Sequence, residues 1–210
     1  MPNKTLTVPN KLSEITLGQY QKFSKLLEKE PDDDFLQKKT IEIFCGVEMK
    51  EVENYNYKSI LKVIEILNKM FEQKPSKLID KFQLNGVEFG FIPKLDDMSF
   101  GEFVDLDLSL SDWDTMDGAM AVLFRRIKNK KKNKYTIKKY DSDKTDNMEN
   151  MPLDVALSAL FFLESLRKEL MNHIHIFLEH QGQKLPQKQR QILMKVLDGG
   201  LPFMPSAMAI

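Results

Sequence analysis

The chain has 210 residues, 42% of them hydrophobic and 30% charged, which supplies enough apolar material for a packed core and excludes global disorder. Its 31 basic and 31 acidic residues cancel. A formal charge of zero argues against a protein whose main task is gripping nucleic acid or an anionic membrane, and it leaves little self-repulsion to oppose association.

The opening residues MPNK lack the apolar core of a secretory signal, and residues 1–13, with two prolines and no period, read as an extended arm. Thr16 is placed to cap a helix whose apolar face is Leu17, Tyr20, Phe23 and Leu27, with Leu26 beside them. Pro31 ends it. The acidic run 32–34 then starts a second helix, with Phe35, Ile41, Phe44 and Cys45 inward and Gly46 as its stop. Cys45 is the only cysteine, so no intrachain disulfide or cysteine-based zinc site can form. Its apolar neighbours predict a buried, inert thiol.

After a short piece over 47–53, Asn56 can cap a longer helix burying Ile60, Val63, Ile64, Leu67, Met70 and Phe71, closed by Pro75. The period then changes. Residues 81–92 alternate polar and apolar around Asn85-Gly86, the favoured centre of a two-residue type I′ hairpin turn, because both positions require positive φ. Ser99 with Glu102 fits a capping box for a short helix ending near Asp105. Asp112 or Asp114 begins another, carrying Met116, Met120, Leu123 and Phe124. Residues 126–128 and 135–140 read as two strands joined by the Lys-Asn-rich tip 129–134, a second hairpin. Past the polar loop 141–150, Pro152 suits the first turn of a strongly apolar helix running to about His180, the expected central core helix from Leu153 through Leu166, Leu170, Ile174 and Leu178. Pro186 opens a last helix with Ile192, Leu193, Val196 and Leu197 inward, stopped by Gly199-Gly200. The longest apolar stretch, 155–163, lies between Asp154 and Glu164 and is too short to span a bilayer.

Motifs for chemistry are wanting. There is no Walker-type phosphate loop, no G-x-G-x-x-G and no G-x-S-x-G elbow, and the nine glycines are scattered among turns and helix stops. His173 and His175 point about 200° apart on one helix, and His180 lies two turns from His173, so no shared metal site is expected. Residues 105–112 alternate oxygens in the manner of a calcium loop, but Leu110 stands where that loop needs Gly and Met116 where it needs Glu. They are read instead as a turn or edge strand burying Leu106, Leu108 and Leu110 on one side. We expect no enzyme, no cofactor and no metal.

The charges are laid out in blocks. Residues 95–121 hold eight acids, Asp105 and Asp107 among them, and no Lys or Arg. Residues 118–140 hold nine bases, including Arg125, Arg126, Lys128, Lys130, Lys131, Lys132 and Lys134, and no acid. Three readings stay open: solvated faces with the basic hairpin folded back on the acidic segment, a complementary pair of patches for a subunit or partner, and nucleic-acid contact through the hairpin 125–140. For the last, Tyr135 and Tyr140 are the only aromatics available for base stacking. The tail 201–210, LPFMPSAMAI, has no charged side chain; its Leu201, Phe203, Met204, Met208 and Ile210 need cover, either from their own domain or from a neighbour. Its two prolines favour an extended peptide.

Three stretches carry a resemblance: 89–106 (FGFIPKLDDMSFGEFVDL), 120–127 (MAVLFRRI) followed by Tyr135, and 16–23 (TLGQYQKF). Together they resemble uncharacterised proteins encoded among the virion genes of tailed bacteriophages, especially the crAss-like and related phages of Bacteroidetes hosts. The resemblance covers most of the chain. It implies a role in particle building, as a structural or cargo component or a tail-assembly chaperone, in the virion or the host cytoplasm. The implied partners are other phage structural proteins or further copies of the chain, with no membrane. It brings no catalytic residues. The expected fold is mainly α within α+β, six to seven helices with one or two β-hairpins, in a single domain 1–210.

Overall fold

Four helices begin at the side-chain caps their sequences supply. In the computed structural model, which describes residues 6–132, 134–180 and 186–189, α1 (Leu17–Leu27) starts at Thr16 with a reciprocal capping box to Gln19. Asp32 caps α2 (Asp33–Cys45), which Gly46 ends in the left-handed region at φ 67°. A one-turn helix α3 (Met49–Val52) leads to α4 (Tyr57–Phe71), capped by Asn56. The fourth capped helix, α5 (Phe100–Leu110), has the capping box Ser99–Glu102. A 3-10 turn then introduces α6 (Met116–Leu123), and α7 (Leu153–His180) follows the loop beyond the sheet.

The sheet has four antiparallel strands in sequence order: β1 (Lys81–Leu84), β2 (Val87–Phe91), β3 (Phe124–Lys131) and β4 (Lys134–Ile137). The first hairpin turns at Asn85 (φ 52°) and Gly86 (φ 75°), as the dipeptide predicts. The fold is mainly α within α+β, with seven α-helices and two hairpins among the described residues. The hairpins join into one sheet because Phe89, Gly90 and Phe91 of β2 pair with Arg126, Arg125 and Phe124 of β3. That pairing spans the whole of α5 and α6, and no local signal announces it.

One hydrophobic cluster runs through the described elements. On one side Tyr20 stacks edge-on against Trp113 at 4.6 Å, with Phe23, Phe44 and Phe71 beside it. On the other, Phe82, Phe89, Phe91 and Phe124 line the inner sheet face, and Phe162 of α7 meets Phe91. The first turns of α7 bury Leu153, Val155, Ala156, Leu157, Ala159, Leu160 and Leu163 nearly all round. Backbone bonds seat the start of α1 beside the start of α7: Leu153 N–H donates to Ile15 O (2.8 Å), Leu17 N–H to Met151 O (2.9 Å) and Gly18 N–H to Glu149 O (2.7 Å). A Cβ at Gly18 would stand 3.1 Å from that of Glu149, so glycine permits the approach.

Five sequence expectations are corrected. The arm read as extended over residues 1–13 ends in a 3-10 turn at Leu12–Glu14, and its Pro9 and Leu12 are buried. The helix opened by Ser99 runs to Leu110 rather than Asp105, so 105–110 is helix and not turn or edge strand. Leu106 and Leu110, one helical turn apart, are buried, but Leu108 faces outward at 68% exposure, because residues two apart on a helix lie on opposite sides. Phe124 begins β3 instead of ending the preceding helix. The second hairpin has a tighter tip than expected, since β3 and β4 close through Lys131 paired with Lys134. Finally, α7 is central only through Leu163; Leu166 and Leu170 are exposed. The helix expected after Pro186 and the tail 201–210 lie outside the described residues, apart from 186–189.

Candidate interaction surfaces

The acidic and basic blocks meet at one place. Arg125, second residue of β3, reaches Glu102 on the first turn of α5, Nη1 to Oε1 2.6 Å, with side-chain exposures of 13% and 9%. Glu102 is already held by its capping role, taking the Ser99 N–H at 2.7 Å. Burial pushes its carboxyl upward, but the Ser99 hydrogen bonds and the Arg125 charge outweigh that and hold it below the ordinary range. The Arg125 guanidinium also lies 5.9 Å from the Tyr140 ring centre, and the Tyr140 hydroxyl donates to Asp105 Oδ2 at 2.7 Å. Burial and Asp105 push the Tyr140 phenol up to about 12.

The remaining bases disperse. Arg126 makes a forked pair with Asp146, Nε to Oδ1 2.8 Å. Lys130 reaches Glu88 on β2 at 2.5 Å. Lys128, Lys131, Lys132 and Lys134 are exposed and make no ion pair among the described residues. Of the candidate acids, Asp105 is taken up by Tyr140, whereas Asp107 is half-buried on α5. Farther along the acidic block, Asp114 pairs with Lys25 at 2.5 Å and Asp117 accepts from Gln21 at 3.0 Å, so that end of the block faces α1 and not the hairpin.

Tyr135 ties the hairpin down. Its hydroxyl donates to Phe91 O at 2.8 Å, and its ring lies over Gly90, where any Cβ would overlap it. Burial, helped by Asp80, pushes the Tyr135 phenol up to about 12. Lys132, at the tip, holds φ 55°, a conformation that costs a lysine what it would not cost glycine.

An apolar groove of about 530 Å³ lies between α5 and the middle of α7. Leu95, Met98, Phe100, Phe103 and Leu106 form one wall, and Leu163, Leu166 and Leu170 the other. Phe100 is 83% exposed and Leu170 60%. Arg167 at its edge is engaged by Glu164 at 3.0 Å. The sequence gives this groove only as two half-signals, Phe100 with Phe103 and Leu166 with Leu170, each at helical spacing. Nothing local brings them together.

Among the described residues no three or more His, Cys, Asp or Glu side chains are grouped so as to hold a metal ion, and no helix is long and apolar enough to cross a membrane. His173 and His175 are exposed on α7, His173 Nδ1 lying 2.8 Å from Glu169 O. Cys45 is half-buried, and burial pushes its thiol up to about 11. The candidate tail residues Leu201, Phe203, Met204, Met208 and Ile210 lie outside the described residues. Comparison with known proteins finds no matching family model, no matching curated protein and no matching solved structure.

Proposed function

We propose that this chain works in building the particle of a tailed bacteriophage, by protein–protein contact and without catalysis. It serves there as a structural or cargo component or as a tail-assembly chaperone, in the virion or the host cytoplasm. The observation that carries the reading is the groove between α5 and α7. Large exposed side chains such as Phe100, Phe103, Leu166 and Leu170 concentrated on one face are what a protein-binding surface requires. The run 89–106, on which the phage resemblance chiefly rests, supplies one whole wall of it. Charged side chains around the basic hairpin then choose register and encounter rate more than affinity.

Disrupting the gene in its phage tests this directly. Infected cells are expected to replicate phage DNA but to accumulate incomplete or misassembled particles. A normal yield of infectious particles lacking the protein overturns the reading. Mass spectrometry of purified wild-type particles separates the two versions: presence marks a component, and absence from particles that need the gene marks a chaperone.

A second reading, nucleic-acid contact by the hairpin 125–140, draws on the exposed, unpaired Lys128, Lys131, Lys132 and Lys134. It requires that replacing Lys130, Lys131, Lys132 and Lys134 with Ser abolish DNA binding, and that log K fall with log salt at about −0.9 per phosphate neutralised.

A further inference from the structure

We infer that the cleft between α1 and α2 is a binding site for a linear oligophosphate. The cleft has a volume of about 570 Å³, enough for a small ligand. Lys22, Lys25 and Lys29 line it from α1 and its closing turn, and Lys39 from α2. Glu42 is the one acid among the described residues lining it, and Lys39 already engages that carboxylate. Lys25 is drawn to Asp114 at 2.5 Å. Lys22 and Lys29 are exposed and make no ion pair among the described residues, so two ammonium groups at the cleft stay uncompensated. The dipole of α1 favours a base at its C-terminal end, which accounts for Lys25 or Lys29. It accounts neither for Lys22, in the middle of the helix, nor for Lys39, which comes from another one.

The shape of the charge points to the ligand. Seven positions separate Lys22 from Lys29, about 10 Å along the helix axis. An extended anion meets both with their side chains relaxed, whereas a single phosphate or carboxylate needs both stems bent toward one point. Among the described residues no arginine lines the cleft, so a carboxylate finds no forked partner, and lysine ammoniums act on phosphate oxygens as point charges. No aromatic side chain lines it either, which leaves a nucleobase nothing to stack on. Leu26 and Ile43 supply low-dielectric wall between the lysines, and a cleft of one charge sign with such walls concentrates the field. The two helices are held in place without a ligand: Gln19 Nε2 donates to Ile43 O at 2.8 Å, and Phe23 packs edge-on against Phe44 at 5.2 Å. The inference goes beyond the assembly reading and does not depend on it, since a chain that proved dispensable for particles would still bind the anion.

Calorimetric titration of the full-length chain with sodium tripolyphosphate at low ionic strength tests it. Binding is expected at one site per chain. Lys22→Gln combined with Lys29→Gln is expected to weaken it about tenfold, because two charge-assisted contacts are lost. Lys128→Gln combined with Lys131→Gln removes the same charge from the hairpin and is expected to leave the affinity within about twofold, distant exposed charges being screened. No binding, equal weakening in the two variants, or weakening in the hairpin variant alone overturns the proposal. Adenosine triphosphate is expected to bind no more tightly than tripolyphosphate, and markedly tighter binding overturns the choice of a bare phosphate chain. On the unaltered chain, tripolyphosphate is expected to slow acetylation of Lys22 and Lys29 by an N-hydroxysuccinimide ester, read by peptide mass spectrometry, and to leave Lys128 unprotected. Equal protection of all three, or protection of none, overturns the proposal as well.

Discussion

Arg125 and Glu102 form the least exposed ion pair among the described residues, and each leans on other groups: Glu102 on Ser99, Arg125 on the Tyr140 ring. Removing one partner strands the other charge out of water. Arg125→Met is therefore expected to cost about 3 kcal/mol in urea unfolding, and Arg125→Met with Glu102→Leu to cost less than the single change. The depressed carboxyl also sets a pH dependence. Its folded value lies below its ordinary 4.5, so its contribution is complete above that pH and is lost as pH falls through the folded value. A Glu102→Gln chain, compared by acid titration of unfolding, is expected to lose less stability over that window than the wild type. At Gly90 the Tyr135 ring occupies the space of a side chain. Gly90→Ala is expected to destabilise by about 1–3 kcal/mol, and by much less in a Tyr135→Ala background, because the overlap is then gone.

At the scale of elements, legibility follows how local the cause is. The caps at Thr16, Asn56 and Ser99, the stop at Gly46 and the Asn85-Gly86 turn are each fixed by a few adjacent residues, and the sequence shows them all; for α2 it shows only that the cap falls within 32–34, and the structure selects Asp32. The length of α5 is less visible, because alternating Asp and Leu over 105–110 fits a strand pattern as well as a helix, and only packing of Leu106 and Leu110 decides. The tip of the second hairpin is the clearest departure from local preference. Lys132 stands in a left-handed conformation, so Lys132→Gly is expected to raise stability by about 1 kcal/mol, read as a higher urea midpoint with unchanged slope. Of the candidate site, the basic hairpin was legible as a charge run. The groove was not, since it exists only once α5 and α7 lie side by side.

For the molecule as a whole, the neutral net charge hides an uneven surface. Exposed lysines at the end of β3 and the start of β4 stand clear of the core, and apolar side chains crowd the groove. Replacing Lys130, Lys131, Lys132 and Lys134 with Ser is expected to change folding stability by no more than about 0.5 kcal/mol, measured by urea unfolding, because such positions carry little packing. Any loss of partner or DNA binding in that variant then reports on contact and not on folding.

The seam that joins Ile15, Leu17 and Gly18 to Leu153, Met151 and Glu149 also sets an order of events during synthesis. Helix α1 can pack on α2, α4 and Trp113 earlier, but its first turn gains its backbone partners at Glu149, Met151 and Leu153 only after the opening of α7 has left the ribosome, and closing so long a loop is slow. A nascent chain stalled before residue 153 is expected to remain open to protease, and one stalled with the whole of α7 outside the exit tunnel to resist it. Until then, Phe91 on the inner sheet face lacks its α7 partner Phe162, and the newborn chain is at its most vulnerable to aggregation.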